Sequence, residues 1–328
     1  MPHGRRLILG LALFALGGAT RAEAVKDVRV DPASVQLRGP NARFTLLVNG
    51  RMDDGPVIDL TSSARYQSLE PKVAAVTDKG VILGVADGSA TIQVEAAGKT
   101  LKVPVQVVGS THERQFNFEN DIVPILSRFG CNASGCHGKA EGQNGFKLSV
   151  FGFDPPADFA ALTKEDRGSR VFPSSPDYSL LLRKVSGRTA HGGGVRIRKE
   201  SIEYDTLRAW IAAGTPYGKD TDAKVERIRV ESADHPQAMK AEQQLRVIAT
   251  YSDGREVDIT AHAKFQSNND AVASVSESGL ITAVYQLATG LWCRRATGSP
   301  VETCVPLDQT PDGPVTDTTP DSEDRRAL

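Results

Sequence analysis

Short runs of alternating apolar and polar residues occupy the chain from 25 to 109, and turn-forming residues separate them. Because successive side chains of a strand point to opposite faces, this alternation predicts half-buried strands. Turns at regular intervals indicate an all-β immunoglobulin-like sandwich over 25–109. Examples of the strands and turns are Phe44–Val48, Thr91–Val94, Leu101–Val105, Gly39–Pro40 and Asp87–Gly88.

The same pattern returns at a fixed offset of 199 residues. A repeat of this kind indicates that one fold is encoded twice. We therefore expect a second β-sandwich over 225–284, incomplete because the counterpart of residues 88–94 does not follow Val284. The matching residues are Asp59, Thr61, Ala64, Gln67, Ser68, Val73, Ala74, Val76, Gly80 and Val85, which return as Asp258, Thr260, Ala263, Gln266, Ser267, Val272, Ala273, Val275, Gly279 and Val284.

Between the two repeats, residues 113–218 show helical periodicity instead of alternation. Apolar residues from Phe118 to Phe129 fall on one face of a helix. A second helix is expected after Ser201, which suits an N-cap, and it would end at Gly214. This pattern predicts a mostly α domain between the two sandwiches.

The two ends of the chain differ from the rest. Arg5 and Arg6 precede an apolar run, and Ala22–Ala24 offers a small-residue cleavage site, which predicts a signal peptide over 1–24. We therefore expect an exported protein of the periplasm or cell surface, with no membrane span after signal cleavage. The tail from 285 to 328 is rich in Thr, Pro, Asp and Ser from Arg294 onwards, which predicts a disordered or aberrant end.

Length and charge narrow the classes of function. A chain of 328 residues is long enough for two to three globular domains. A formal net charge of -1 argues against a nucleic-acid partner. No Ser/His/Asp set, paired-carboxylate motif or phosphate-binding loop indicates catalysis, so an enzyme is not expected.

Two thiols and an imidazole lie within seven residues, at Cys131, Cys136 and His137. Cysteines followed directly by a histidine are typical of c-type haem attachment, in which both thiols bind the haem covalently and the histidine ligates iron. Four residues separate the cysteines instead of the usual two, which makes the motif less specific. No methionine lies between 53 and 238, which excludes a methionine ligand from this segment. His191 precedes three glycines and is our candidate for the second axial ligand, and an open or water-bound position is the alternative. The predicted metal ligands are therefore His137 and His191.

Two other interpretations of the motif stay open. Cys131 and Cys136 could form a disulfide in an exported protein, which would leave His137 unexplained. A zinc site would need further ligands, for which His112 and His191 are the nearest candidates.

Several separated motifs give a more specific resemblance. The chain resembles the planctomycete-type cytochrome c domain flanked by bacterial immunoglobulin-like (group 2) domains. The resemblance implies a mostly α, cytochrome c-like haem domain over 113–218 with one covalently bound haem c. The residues that carry it are Gly130–Ala140, Gly145–Asp154, Arg170–Pro173, Ser179–Leu182, His191–Gly194 and Leu207–Ile211.

The resulting hypothesis is an exported monohaem c-type cytochrome that transfers electrons to or from an unknown redox partner protein. One alternative is an extracellular adhesion or scaffold protein in which Cys131 and Cys136 form a disulfide. Another is the electron-accepting fragment of a larger enzyme.

Overall fold

The computed structural model describes residues 25–53, 55–232 and 241–284, and the backbone of 291–295 and 302–306. The predicted signal peptide over 1–24 lies outside the described residues. So does most of the tail predicted over 285–328, apart from the two backbone segments.

Within the described residues, the first module contains ten strands in three sheets. The sheet orders are β1-β4-β5, β2-β10-β9-β6 and β3-β8-β7, and the β2–β10 pair is parallel. The strands are β1 (Val25–Asp31), β2 (Val35–Arg38), β3 (Arg43–Thr45), β4 (Leu47–Met52), β5 (Val57–Asp59), β6 (Arg65–Ser68), β7 (Ala74–Val76), β8 (Val81–Gly84), β9 (Gly88–Ala96) and β10 (Lys99–Val108).

Alternation along the strands builds the core of this module. In β9, Ile92 and Val94 are fully buried, and in β10 Val105 and Val107 pack into the same core. The residues between them, such as Gln93 and Gln106, face outwards. Each fully buried aliphatic side chain contributes about 1.5–3 kcal/mol.

The second module repeats the strand positions of the first. Strands β3, β4, β5, β7 and β8 correspond, at the offset of 199, to β12, β13, β14, β15 and β16. Sheets β11-β13-β14 and β12-β16-β15 accordingly match β1-β4-β5 and β3-β8-β7. The strands are β11 (Val225–Glu231), β12 (Glu242–Gln244), β13 (Arg246–Tyr251), β14 (Glu256–Asp258), β15 (Ala273–Val275) and β16 (Leu280–Ala283).

Two further strands, β17 (Leu291–Arg295) and β18 (Glu302–Pro306), form an antiparallel pair of their own. Their sequence positions correspond to parts of β9 and β10 in the first module. In the part of the chain that the structure describes, neither strand joins the sheets of the second module.

The shared Asp-x-Thr motif has the same structural task in each repeat. The Thr61 amide donates to Asp59 Oδ1 at 2.7 Å, and Thr61 Oγ1 accepts from the Val48 amide at 2.9 Å. In the second copy Thr260 bonds to Asp258 and to Val247 in the same way. Buried backbone donors require an acceptor. In each repeat the threonine hydroxyl accepts from an amide of the strand beside the turn, Val48 in β4 and Val247 in β13.

The same two aspartates also join the modules to each other. The Thr45 amide donates to Asp258 Oδ2 at 2.5 Å, and the Gln244 amide donates to Asp59 Oδ2 at 2.6 Å. Positions 45 and 244 are equivalent in the repeat, as are 59 and 258. The two repeats therefore dock through one contact made twice, related by a local two-fold pseudosymmetry.

A buried arginine reinforces this interface. The Arg246 side chain is only 5% exposed. Its guanidinium donates to the carbonyl oxygens of Asp31 and Thr45 at 2.8 and 3.1 Å, and it pairs with the Asp31 carboxylate. Arg246 Nε also donates to Glu231 at 2.7 Å. The equivalent position in the first repeat is the buried Leu47, so this cation occurs in one copy.

The segment between the modules corrects the expected fold class. It contains α1 (Val123–Arg128), α2 (Pro155–Thr163), α3 (Leu180–Val185), α4 (Ile202–Ala212), a π-helical turn over Phe118–Ile122 and three short 3-10 helices at Val150–Gly152, Asp166–Gly168 and Pro176–Tyr178. Only 19% of the structure is helical, and strands in several sheets dominate it. The prediction of a mostly α, cytochrome c-like domain over 113–218 is therefore wrong.

Glycines interrupt the helices of this segment. Gly130, Gly145, Gly152, Gly187 and Gly194 have positive φ, which ends helices and forms turns. The two elements with clear periodicity do pack together. Phe118 lies against Trp210 of α4 with ring centroids 5.7 Å apart.

Replacing Arg246 by methionine should destabilise the chain by about 1–3 kcal/mol, because the carbonyl oxygens of Asp31 and Thr45 would lose a buried hydrogen-bond donor. Urea unfolding measures this change. Arg29→Met is the matched control, because Arg29 pairs with Asp27 on the surface and should cost less than about 1 kcal/mol. Equal midpoints for the two variants would contradict the role given to Arg246.

Candidate functional site

The loop after α1 folds back on itself and gathers the two cysteines and the histidine. Gly130 takes a positive φ of 68° at the end of the helix, and the Cys131 amide donates to Leu126 O at 2.8 Å. The His137 amide then donates to Cys131 O at 3.0 Å. A Cβ on Gly138 would lie 2.2 Å from Asn132 O, so only glycine fits directly after the histidine.

The two thiols have different environments. Cys131 is 9% exposed, and burial raises the pKa of its thiol to about 11. Cys136 is half-buried, and Arg196 Nη2 lies 4.0 Å from its sulfur. Both cysteines are free, so the disulfide of the alternative hypothesis is not formed in this structure.

The structure brings the two predicted histidines together. The rings of His137 and His191 are parallel within 6°, and their centroids are 6.3 Å apart. His137 Nδ1 lies 3.0 Å from Phe146 O, and His191 Nδ1 lies 3.1 Å from Gly194 O. Burial is the main cause that lowers the pKa of His137, and the nearby His191 lowers it further. Both imidazoles are therefore held by backbone carbonyls.

This arrangement limits what the site could hold. With each Nδ1 at a carbonyl, each Nε2 stays available, which is the usual orientation of metal-binding histidines. His137 and His191 are the side chains that would hold a haem iron, and Cys131 and Cys136 are the thiols that would hold its ring. In the described part of the chain, however, no three His, Cys, Asp or Glu side chains form a metal-binding group. The four-ligand zinc interpretation with His112 receives no support, and one bound haem c stays a prediction.

Arg170 and Phe146 position the site, a role that the sequence did not predict although both residues lie in the motifs that carry the resemblance. Arg170 is buried and donates to Ala161 O at 2.7 Å and to Gly145 O at 3.1 Å. Its guanidinium lies 4.6 Å from the centroid of the Phe146 ring, which in turn lies 4.5 Å from the His137 ring. Arg170 therefore fixes the segment that orients His137. Because Arg170 is distant from His137 in sequence, no local sequence pattern predicts that it positions this histidine.

The basic residues around His191 are partly structural. Lys184 Nζ donates to Ala190 O at 2.6 Å, and Arg188 donates to Asp177 O at 3.2 Å. Together with the contact of Arg196 to Cys136, these bonds shape the loop that carries His191.

Known proteins resemble this chain only weakly. No family model matches the chain. Ice-binding protein 1 of Shewanella frigidimarina (strain NCIMB 400) is 26% identical over 271 residues, which span 77% of this chain and 26% of that protein. The chain therefore spans about a quarter of this relative.

Solved structures of the S-layer protein SbsC are also similar. Its domains 4 and 5 give 26% identity and a TM-score of 0.24, covering 27% of this chain and 54% of that one. Its domains 5–6 give 13% identity and a TM-score of 0.29, covering 83% and 89%.

These findings correct the predicted function. The relative is named for ice binding and not for electron transfer, no cytochrome family model matches, and the fold is mostly β. The hypothesis of a haem-binding electron carrier, with its cytochrome and metal-binding description, is therefore wrong. The chain is exported. Among the described residues, no helix is both long and apolar enough to cross a membrane.

Alkylation should distinguish the two thiols. We expect N-ethylmaleimide to modify Cys136 before Cys131, because burial keeps the Cys131 thiol protonated and out of reach of the reagent. Mass spectrometry of peptides taken over time measures modification at Cys131 and Cys136 separately from Cys293 and Cys304, and intact mass reports any haem bound covalently. A Cys136→Ser variant serves as the control, since its Cys131 peptide should still be modified slowly. Equal rates at the two thiols would contradict the structure.

Proposed function

We propose that this chain belongs to an exported, β-rich surface protein in which the paired sandwiches act as a rigid structural or adhesive unit. The observation that carries this proposal is the docking of the two repeats through Asp59 and Asp258. Two modules fixed in this way hold their outer faces at a constant separation and orientation.

The outer face of the first module suits contact with water. Arg65 and Glu95 are cross-strand neighbours on β6 and β9, and both are exposed. Neighbouring outward positions on β10 are also polar, as with Lys102 and Gln106. Charged and polar side chains on a broad sheet keep such a face soluble and protect it from aggregation.

The middle segment ties the assembly together and does not act as a free linker. Asn120 Nδ2 donates to Ala223 O at 2.8 Å, next to the start of β11. Arg128 Nη2 lies 3.3 Å from Glu277 O of the second module. These bonds restrict the angle between the middle segment and the second module, in keeping with a structural role.

The remaining expectations are separate from this function. One covalently bound haem c at Cys131, Cys136 and His137, with His191 as second ligand, stays a prediction. So does the resemblance to a planctomycete-type cytochrome c domain beside bacterial immunoglobulin-like (group 2) domains. An unknown redox partner and the lack of a nucleic-acid partner are also predictions. None of these is needed for the structural role proposed here.

Surface location is tested by adding protease to intact cells that express the protein with a C-terminal tag. The proposal expects digestion without permeabilisation, because the modules would lie outside the cell. A variant without residues 1–24 is the control, and it should stay protected. Protection of the full chain until the outer membrane is opened would place it in the periplasm and would contradict a surface role.

Ice binding is a second candidate, favoured only by the match to the ice-binding protein. Thermal hysteresis of the purified chain tests it. A freezing point equal to that of an albumin solution of the same concentration would exclude ice binding and would leave the structural role unaffected.

A further inference from the structure

A cavity of 1770 Å³ lies where the two sandwiches and the middle segment meet. The first module contributes Arg43 to its wall, the middle segment contributes Arg114 and Arg128, and the second module contributes His262. These residues are far apart in sequence, and only the docking of the modules brings them to one cavity. The result is a concentration of cationic and hydrogen-bond donor groups in a partly buried space.

Several of these polar groups have no partner in the protein. Arg128 Nη1 and His262 Nδ1 are buried atoms with no hydrogen-bond partner. Among the described residues, the Arg43 guanidinium forms no hydrogen bond and no ion pair. Arg114 differs, because it pairs with Asp121 at 2.8 Å. Buried polar groups in proteins nearly always have a partner, so unpaired donors in a cavity indicate a ligand that accepts hydrogen bonds.

Acidic side chains also line the cavity, namely Glu119, Asp121, Asp222, Glu226, Asp253, Glu256 and Asp258. Asp258 is already engaged by the Thr45 and Thr260 amides. Glu203 is near enough to raise the pKa of Arg43, but burial outweighs it and lowers that pKa. The charges that act on the His262 ring are nonetheless all positive, namely those of Arg43, Arg128 and Arg114.

We propose that this cavity binds an oxyanion, the carboxylate, sulfate or phosphate group of a small molecule or glycan, between Arg43, Arg128 and His262. Guanidinium groups present paired N–H donors that match the oxygen spacing of such anions. A neutral imidazole can supply a further donor at the same place.

The state of His262 agrees with this assignment. Burial and the neighbouring Arg43, Arg128 and Arg114 lower its pKa to about 4. An anion bound beside it would offset those cations, so His262 should bind a proton more readily when the site is occupied. This gives a spectroscopic signal that a purely structural arginine cluster would not show.

The test is titration of the full chain with inorganic sulfate, inorganic phosphate and acetate, followed by calorimetry and by the NMR signals of the His262 ring. We expect saturable binding of at least one anion and an upward shift in the titration midpoint of His262. The three anions distinguish the possible sources, since a carboxylate ligand predicts acetate binding and a phosphate or sulfate ester predicts the other two.

The variants Arg43→Gln and Arg128→Gln should each weaken binding at least tenfold. Arg65→Gln is the control, because Arg65 is exposed on β6 and lies outside the cavity wall, and it should bind like the wild type. If a glutamine variant fails to fold, Arg43→Lys keeps the charge but removes the paired donors and should still weaken binding. Absence of saturable binding by all three anions, or equal affinity in all variants, would overturn the proposal.

Discussion

The contact between a carboxylate of one repeat and the backbone amide of the other is the interaction on which the rest of the structure depends. Asp59 and Asp258 each have two oxygens and use them differently: one binds the threonine of its own turn and the other binds the partner module. Burial raises the pKa of Asp59, so its ionised form is costly unless these amide bonds are made. Each copy of the repeated turn therefore also forms one of the two contacts between the modules.

The middle segment takes its shape from its two ends. It begins at the last strand of the first module and ends at the first strand of the second, so the docked modules bring its two ends close enough to be tied together. Asn117 Nδ2 lies 3.0 Å from Asp222, across the two ends of the segment. A core of 18 buried residues, among them Phe118, Ile125 and Trp210, stabilises this segment. Its long glycine-rich loops place Cys136, His137 and His191 at the surface.

The repeat in the sequence located the corresponding strands well, because the Asp-x-Thr motif fixes a turn through local bonds. The docking of the modules had no such signal. Arg246 replaces the buried Leu47 of the first copy, and nothing local shows that its guanidinium reaches the other module. At the candidate site, by contrast, the sequence did identify residues that lie close together. The two cysteines followed by a histidine identified Cys131, Cys136 and His137, and the run of three glycines identified His191. The helical content was overestimated because the periodicity around Phe118 and Leu207 does not extend through the loops between them.

Hydrogen exchange of individual amides tests the interface most directly. In the wild type, the Thr45 and Gln244 amides should exchange slowly, and Asp258→Ala should speed exchange at Thr45 while Asp59→Ala speeds it at Gln244. The Val48 amide, bound to Thr61 within the first module, is the internal control and should keep its protection in Asp258→Ala. A Thr45 amide that exchanges fast in the wild type, or that keeps its protection in Asp258→Ala, would show that the two sandwiches are not locked together.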